Sequence, residues 1–169
     1  MIRGTDVPLP GTTAPDFTLP ATPDGTVSLA SLRGRPVVLV FYPGDWRYGC
    51  GEQLASYQTV MPEFHELGVV VLGISTDSVW SHRALARRWG IRFNLLADHR
   101  PRGAVARQYG VYRIADKICE RALFLIEPSG TVVYSHVSPP DVNPGVEPIL
   151  TAVESLGCRP VAMARPSRW

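Results

Sequence analysis

Val37-Val38-Leu39-Val40-Phe41-Tyr42 is an unbroken run of β-branched, aliphatic and aromatic residues, stopped by Pro43-Gly44. A continuous apolar run of this length reads as a strand buried on both faces. Such a strand has to lie inside a sheet with cover above and below, and the rest of the chain must supply that cover. From Cys50 the period changes: Leu54, Tyr57, Met61 and Phe64 recur at three- and four-residue intervals, one face of a helix. Pro62 should kink this helix, and Gly68 closes it.

The remaining punctuation is regular. Val69–Ile74 reads as a second buried strand. Ser78 caps a helix running to Trp89, which Gly90 ends. Phe93–Ala97 is a short strand, and Gly103–Tyr109 a short helix before Gly110. Ala122–Ile126 and Thr131–Val137 are strands joined by the turn Glu127-Pro128-Ser129-Gly130. A last helix spans Gly145–Leu156, before Gly157. Near the start, Asp24-Gly25 joins two short alternations, Asp16–Leu19 and Thr26–Leu29, as a small hairpin. Helical crossovers make the first sheet strands parallel, and the late hairpin adds an antiparallel pair. The expected fold is α/β: a three-layer sandwich with a central mixed sheet and an N-terminal hairpin extension, in thioredoxin-like order.

With 169 residues the chain suits one domain with one core. Residues 1–15 read as an irregular arm and residues 158–169 as an extended tail. A net charge of +2 leaves no electrostatic footprint for nucleic acid or an anionic membrane. Arg83, Arg87, Arg88 and Arg92 read as a solvated helix face. No apolar run approaches the roughly 20 residues of a membrane span. Met1-Ile2-Arg3-Gly4-Thr5-Asp6 lacks the apolar core of a secretory signal, so a cytoplasmic protein is expected. Three cysteines, few and odd in number, argue against a secreted disulfide scaffold. The four histidines are dispersed without metal-ligand spacing, so no metal is expected.

Cys50 stands where a buried strand, a loop and a helix start meet. A thiol reacts as thiolate, and a helix N-terminus or a nearby cation favours that form. Arg47 lies three residues before it. The alternative is a buried cysteine acting as a small hydrophobe, but Gly44-Asp45-Trp46-Arg47-Tyr48-Gly49 is not a core-like setting for filler.

These residues carry a resemblance. Ala14-Pro15-Asp16-Phe17-Thr18-Leu19, then Val38–Asp45 and Cys50, then Leu72–Ser78, Leu95–Asp98 and Arg121–Ile126 with Gly130 resemble the peroxiredoxin (AhpC/TSA) family. The segments run in register from about Val7 to about Leu156. The resemblance implies a thiol peroxidase acting on hydrogen peroxide or organic hydroperoxides, with no cofactor and a homodimeric state. It implies that Cys50 attacks the O–O bond and becomes a sulfenic acid. It implies that Pro43 shields the thiolate from water and that Arg121 stabilises it and orients the peroxide. An ion pair of Arg121 with the adjacent Glu120 is the competing structural role. The chain departs from the family at Arg47, where a Thr or Ser hydroxyl is expected. A guanidinium only donates, whereas a hydroxyl also accepts. Tyr48 can supply a hydroxyl if it turns inward; otherwise Arg47 points to solvent. Gln53 stands where many members have Glu and still offers Arg121 a carbonyl oxygen. Glu52 is expected to point away, Trp80 to lie in the core and His82 on the surface.

Sulfenic acid needs a second thiol. Cys158, past the last helix, resembles a C-terminal resolving cysteine that reaches a partner subunit. Cys119 lies two residues before Arg121, and alternation on a strand points both to the same face, so Cys119 is the second candidate facing the active site. The third option is an external reductant, a thioredoxin-like protein or a small thiol. Two other functions stay open: a family member turned to another thiol or oxidative reaction, for which Arg47 is the motive, and a non-catalytic redox sensor or binding domain.

Overall fold

The computed structural model describes residues 7–157. Its centre is a five-stranded mixed sheet in the order β5-β4-β3-β8-β9. The apolar run becomes β3 (Val37–Phe41), every residue of it buried. Parallel to it lie β4 (Val70–Ser75) and, beyond, β5 (Asn94–Ala97). On its other side β8 (Arg121–Ile126) and β9 (Val132–Ser138) run antiparallel. The first pairs need helical crossovers and the last only a turn, as the sequence implies. The thioredoxin-like sandwich is thus present.

Strand alternation divides the core in two. Val38, Val40, Val71, Leu95, Leu123 and Leu125 face one layer, built by helices α1 (Cys50–Thr59), α2 (Met61–Glu66), α3 (Val79–Trp89) and α5 (Glu147–Ser155). Val37, Leu39, Phe41, Leu72, Ile74, Phe124 and Ile126 face the other. That second layer is lighter. It holds the short helix α4 (Ala104–Gln108) and the hairpin of β1 (Thr18–Pro20) and β2 (Thr26–Ser28). Beside them is a second small hairpin, β6 (Tyr112–Arg113) with β7 (Ile118–Cys119). Buried Asp98 ties α4 to the sheet by accepting the Val105 and Ala106 N–H groups.

Two local details differ from expectation. The helix from Cys50 to Gly68 is not kinked but broken at Val60, and Pro62 falls in the first turn of α2, where its missing N–H costs no hydrogen bond. The β6–β7 hairpin and the 3-10 turn Ala30–Leu32 have no counterpart in the periodicity, because elements of two or three residues are too short to show one. Ser78 does cap α3, accepting the Ser81 N–H at 3.2 Å, and Gly90 ends it in the left-handed region.

Candidate active site

The loop 43–49 leaves the end of β3 and delivers Cys50 to the first position of α1. Gly49 makes this possible. It sits at φ +78°, and a Cβ there would stand 3.3 Å from the Arg121 Nη2 atom. Only glycine meets both demands without strain. The Cys50 N–H donates back to the Arg47 carbonyl at 3.2 Å, closing the turn. The sulfur therefore sits at a helix N-terminus, where exposed N–H dipoles favour a negative charge.

Arg121, the first residue of β8, reaches the same point from the sheet. It is in phase with Leu123 and Leu125, so it faces the α1 layer. It is 2% exposed, and each of its nitrogens has a partner. Nε donates to the Pro140 carbonyl at 2.7 Å and Nη1 to Gln53 Oε1. Nη2 donates to the Tyr48 carbonyl at 3.1 Å and to Cys50 Sγ at 3.4 Å. Glu120 does not compete for it; that carboxylate pairs with Arg113 at 3.1 Å. Burial pushes the Cys50 thiol above its ordinary value. The Gly44 N–H and Arg121 pull it back, and Asp45 adds a smaller upward push.

Behind the loop lies a polar cluster that the sequence reading missed. Asp45 and His82 are both buried, with His82 Nδ1 2.8 Å from Asp45 Oδ2 and 2.9 Å from Oδ1. The other ring nitrogen, Nε2, faces the Leu96 carbonyl at 3.0 Å. A carbonyl only accepts, so Nε2 is the ring nitrogen placed to donate there, which leaves Nδ1 facing the carboxylate. The Tyr42 hydroxyl donates to Asp45 Oδ1 at 2.7 Å, and the Asp45 N–H donates to Asp77 Oδ2 at 2.9 Å. The residues after Pro43 are thus tied to β3, α3 and the end of β4.

His82 was expected at the surface and Trp80 in the core, and the structure reverses both: His82 is 0% and Trp80 77% exposed. The available signal was Leu85, fully buried and three residues after His82 on the same helix face. Trp80 instead lies outside, against the Arg83 guanidinium 4.8 Å from its ring centroid.

Of the residues singled out by sequence, Cys50, Arg121 and Gln53 meet, and buried Pro43 opens the loop that carries Cys50. Glu52 is exposed, as expected. Arg47 and Tyr48 are both exposed, and Tyr48 does not turn inward. Cys119 requires a correction. It is buried, but in the core on the opposite face of the sheet from Cys50. Alternation fails because β7 and β8 are not one strand. Cys119 pairs with Tyr112, the Glu120 N–H turns to the Val111 carbonyl, and pairing with β9 restarts at Arg121. The phase slips by one residue there. Burial, with Asp98 and Asp77 nearby, pushes the Cys119 thiol well up. Cys158 lies outside the described residues. Among the described residues no group of three or more His, Cys, Asp or Glu is placed to hold a metal ion, and no helix is long and apolar enough to cross a membrane.

Known proteins resemble this chain in sequence and in fold. The AhpC/TSA family profile matches residues 10–135. A protein named peroxiredoxin bcp in Coxiella burnetii is 38% identical, over 72% of this chain and 83% of its own length. Peroxiredoxin 2 of Thermoplasma acidophilum is 32% identical, over 94% of this chain and 82% of its own. In structure, the chain resembles AhpC of Enterococcus faecalis with a TM-score of 0.83 and 26% identity, covering 89% of this chain and 93% of that one. The chain belongs to the AhpC/TSA family, the peroxiredoxins, and is a thiol-dependent peroxidase of thioredoxin-like fold.

Proposed function

We propose that Cys50 is the peroxidatic nucleophile and that the substrate is hydrogen peroxide or an organic hydroperoxide. The observation that carries this reading is the Arg121 Nη2 contact to Cys50 Sγ, 3.4 Å, at the first position of α1. The thiolate attacks one peroxide oxygen, the O–O bond breaks, and water or an alcohol leaves once the departing oxygen takes a proton. Cys50 is then a sulfenic acid. Arg121 donates to the sulfur and to the peroxide with its fork, and Pro43 helps to keep water from the thiolate. Arg47, exposed on the same loop, replaces a hydroxyl that would both donate and accept.

Reduction of the sulfenic acid then falls to Cys158 or to an external thiol, either a small thiol or a thioredoxin-like protein. The placement of Cys119 behind the sheet gives it little support in that role. Exposed Trp46 and Tyr48 on the active-site loop, with Trp80 next to the Ser81 hydroxyl that accepts the Trp46 Nε1–H at 2.9 Å, support a homodimer formed over this rim. A cytoplasmic location is part of this reading, since three cysteines, few and odd in number, do not make a secreted disulfide scaffold.

The test is stopped-flow mixing of the reduced protein with hydrogen peroxide, followed by tryptophan fluorescence and mass spectrometry of trapped thiols. Fast oxidation at Cys50, lost in Cys50→Ser, supports the reading, and a Cys50–Cys158 linkage names the resolver. Oxidation at the rate of an ordinary thiol overturns it. The outward Arg47 and Tyr48 favour one second reading, a family member working on another thiol or oxidative substrate. Arg47→Thr tests that, since a large gain in peroxide rate would show that Arg47 is what turns the site away from peroxide.

A further inference from the structure

Arg47 stands in a tight turn at the foot of α1. Its N–H donates to the Gly44 carbonyl at 3.3 Å, and its own carbonyl accepts the Cys50 N–H at 3.2 Å. Its stem folds back over Gly44, since a Cβ on that glycine would lie 3.6 Å from the Arg47 Cγ and Cδ atoms. Gly44 is also the residue whose N–H lowers the Cys50 thiol. The arginine thus crosses the peptide that touches the sulfur, and from there its side chain is exposed. Its guanidinium has no hydrogen bond and no ion pair among the described residues.

The carboxylates around this turn are committed elsewhere or apart from it. Asp45 is held by His82 and Tyr42. Asp77 Oδ2, 3.3 Å from the same Gly44 Cβ position, accepts from the Ser75 hydroxyl and the Asp45 N–H. Glu52, exposed on α1, forms no ion pair with Arg47. An uncommitted cation therefore stands at the mouth of a site whose floor already holds Arg121 and a helix N-terminus.

Hydrogen peroxide offers this cation nothing to grip. It is neutral and small, and a guanidinium cannot accept its proton. The reducing step makes a different demand. Cys50 is 0% exposed, so a reductant has to send its sulfur inward while the rest of the molecule stays at the rim. A carboxylate held there can take two N–H groups of the guanidinium fork.

We propose that Arg47 is a specificity residue for the reducing step, and that the thiol which resets Cys50 is a small molecule carrying a carboxylate that Arg47 binds. This deepens the peroxidase reading and rests on its sulfenic acid. The incoming thiolate attacks the Cys50 sulfur, the S–O bond breaks, and the hydroxyl takes a proton and leaves as water. A second thiolate attacks the outer sulfur of that mixed disulfide, which frees Cys50 as thiolate and releases an external disulfide. Two thiols give up one electron each, and the sulfenic acid takes up both.

The experiment is sequential-mixing stopped flow on the full chain. Hydrogen peroxide first forms the sulfenic acid, and mercaptopropionate, mercaptoethanol or cysteamine then reduces it, with the Cys50 adduct followed by mass spectrometry. Wild type, Arg47→Gln and Arg47→Glu are compared one thiol at a time, so that differences in acidity between the thiols cancel. Arg47→Gln is expected to slow mercaptopropionate about fivefold relative to mercaptoethanol, the scale of one exposed charge pair. Arg47→Glu should turn the preference over to cationic cysteamine, and added salt should shrink the wild-type preference. Circular dichroism checks folding, and if Arg47→Glu does not fold, Arg47→Gln with the salt series decides. Relative thiol rates that are the same in wild type and the folded variants overturn the proposal. So does a Cys50–Cys158 linkage that forms ahead of any thiol adduct. A parallel first step compares tert-butyl hydroperoxide with a carboxylate-bearing hydroperoxide; a charge preference confined to that step places the anion on the peroxide and also overturns it. Oxidation of Cys50 by hydrogen peroxide at the rate of an ordinary thiol, with the thiol preference intact once excess peroxide has formed the sulfenic acid, would sink the peroxidase reading and leave the role of Arg47 standing.

Discussion

Arg121 gathers the site from four directions, and a lysine in its place can satisfy only part of that geometry. Its ammonium would be a point charge with no planar fork. Arg121→Lys is therefore expected to keep the fold but lower the rate of Cys50 oxidation about a hundredfold, the scale of losing one preorganised donor; stopped-flow with hydrogen peroxide measures it. The thiol itself dictates the pH profile. Burial holds Cys50 above its ordinary value, so the reactive thiolate fraction grows as pH rises through and beyond neutrality. Alkylation and peroxide rates should climb together with pH, and a flat profile between pH 6 and 9 would contradict that. At this scale Cys50 was legible because strand run, breaker and helix period fix where it falls, whereas Pro43 and Arg121 were legible only through the family resemblance. The Asp45–His82 pair was not, since nothing in a sequence announces that two polar residues 37 apart are buried face to face. Tyr48 was equally opaque: a loop with no period gives no direction for its side chains.

Elements meet at small residues. Gly51, second in α1, lies against α3, and a Cβ there would come within 2.2 Å of the Trp89 ring. The tryptophan ring has few ways to yield in such a contact, so Gly51→Ala should force α1 and α3 apart or expel Trp89. The expected cost is about 1–3 kcal/mol of stability, read from the urea midpoint, with a red shift of tryptophan emission if the ring is expelled. The elements themselves were well marked in the sequence wherever they were long. β3, β4, β8 and α3 lie within a residue of their expected bounds, because burial on both faces or a Ser78 cap and Gly90 stop leaves little latitude. The failure at β7–β8 has a physical source. Alternation carries a side chain's direction only as far as the strand is continuous, and Glu120 hands its N–H to a different partner.

For the whole molecule, the two-sided core determines how stability responds to alkali. Burial raises the folded-state pKa of Cys119, Tyr42, Tyr57 and Tyr109. The unfolded chain then gives up these protons at lower pH than the folded one. The stability they hold is complete at neutral pH. It drains from about pH 8.5 for the cysteine and from about pH 10 for the tyrosines. Urea midpoints at pH 7, 9 and 10.5 should fall in that order with an accelerating decline. The order of layers was readable from periodicity alone, but their unequal weight was not, since the lighter layer is assembled from hairpins and turns too short to leave a pattern.

The slip at Glu120 also decides how the protein can be recharged. With Cys119 sealed on one side of the sheet and Cys50 on the other, the five strands act as an electrical partition inside the molecule. The described body has no internal wire between its thiols. On the proposed reading of Cys50 as the nucleophile, the reductant that resets it is expected to act on the Cys50 side of the sheet, where the loop 43–49 lies. Trp46, Arg47 and Tyr48 stand on that loop, exposed and uncommitted to the core. On that reading, substitutions at these three exposed residues can alter what the loop meets while the core behind it stays as it is.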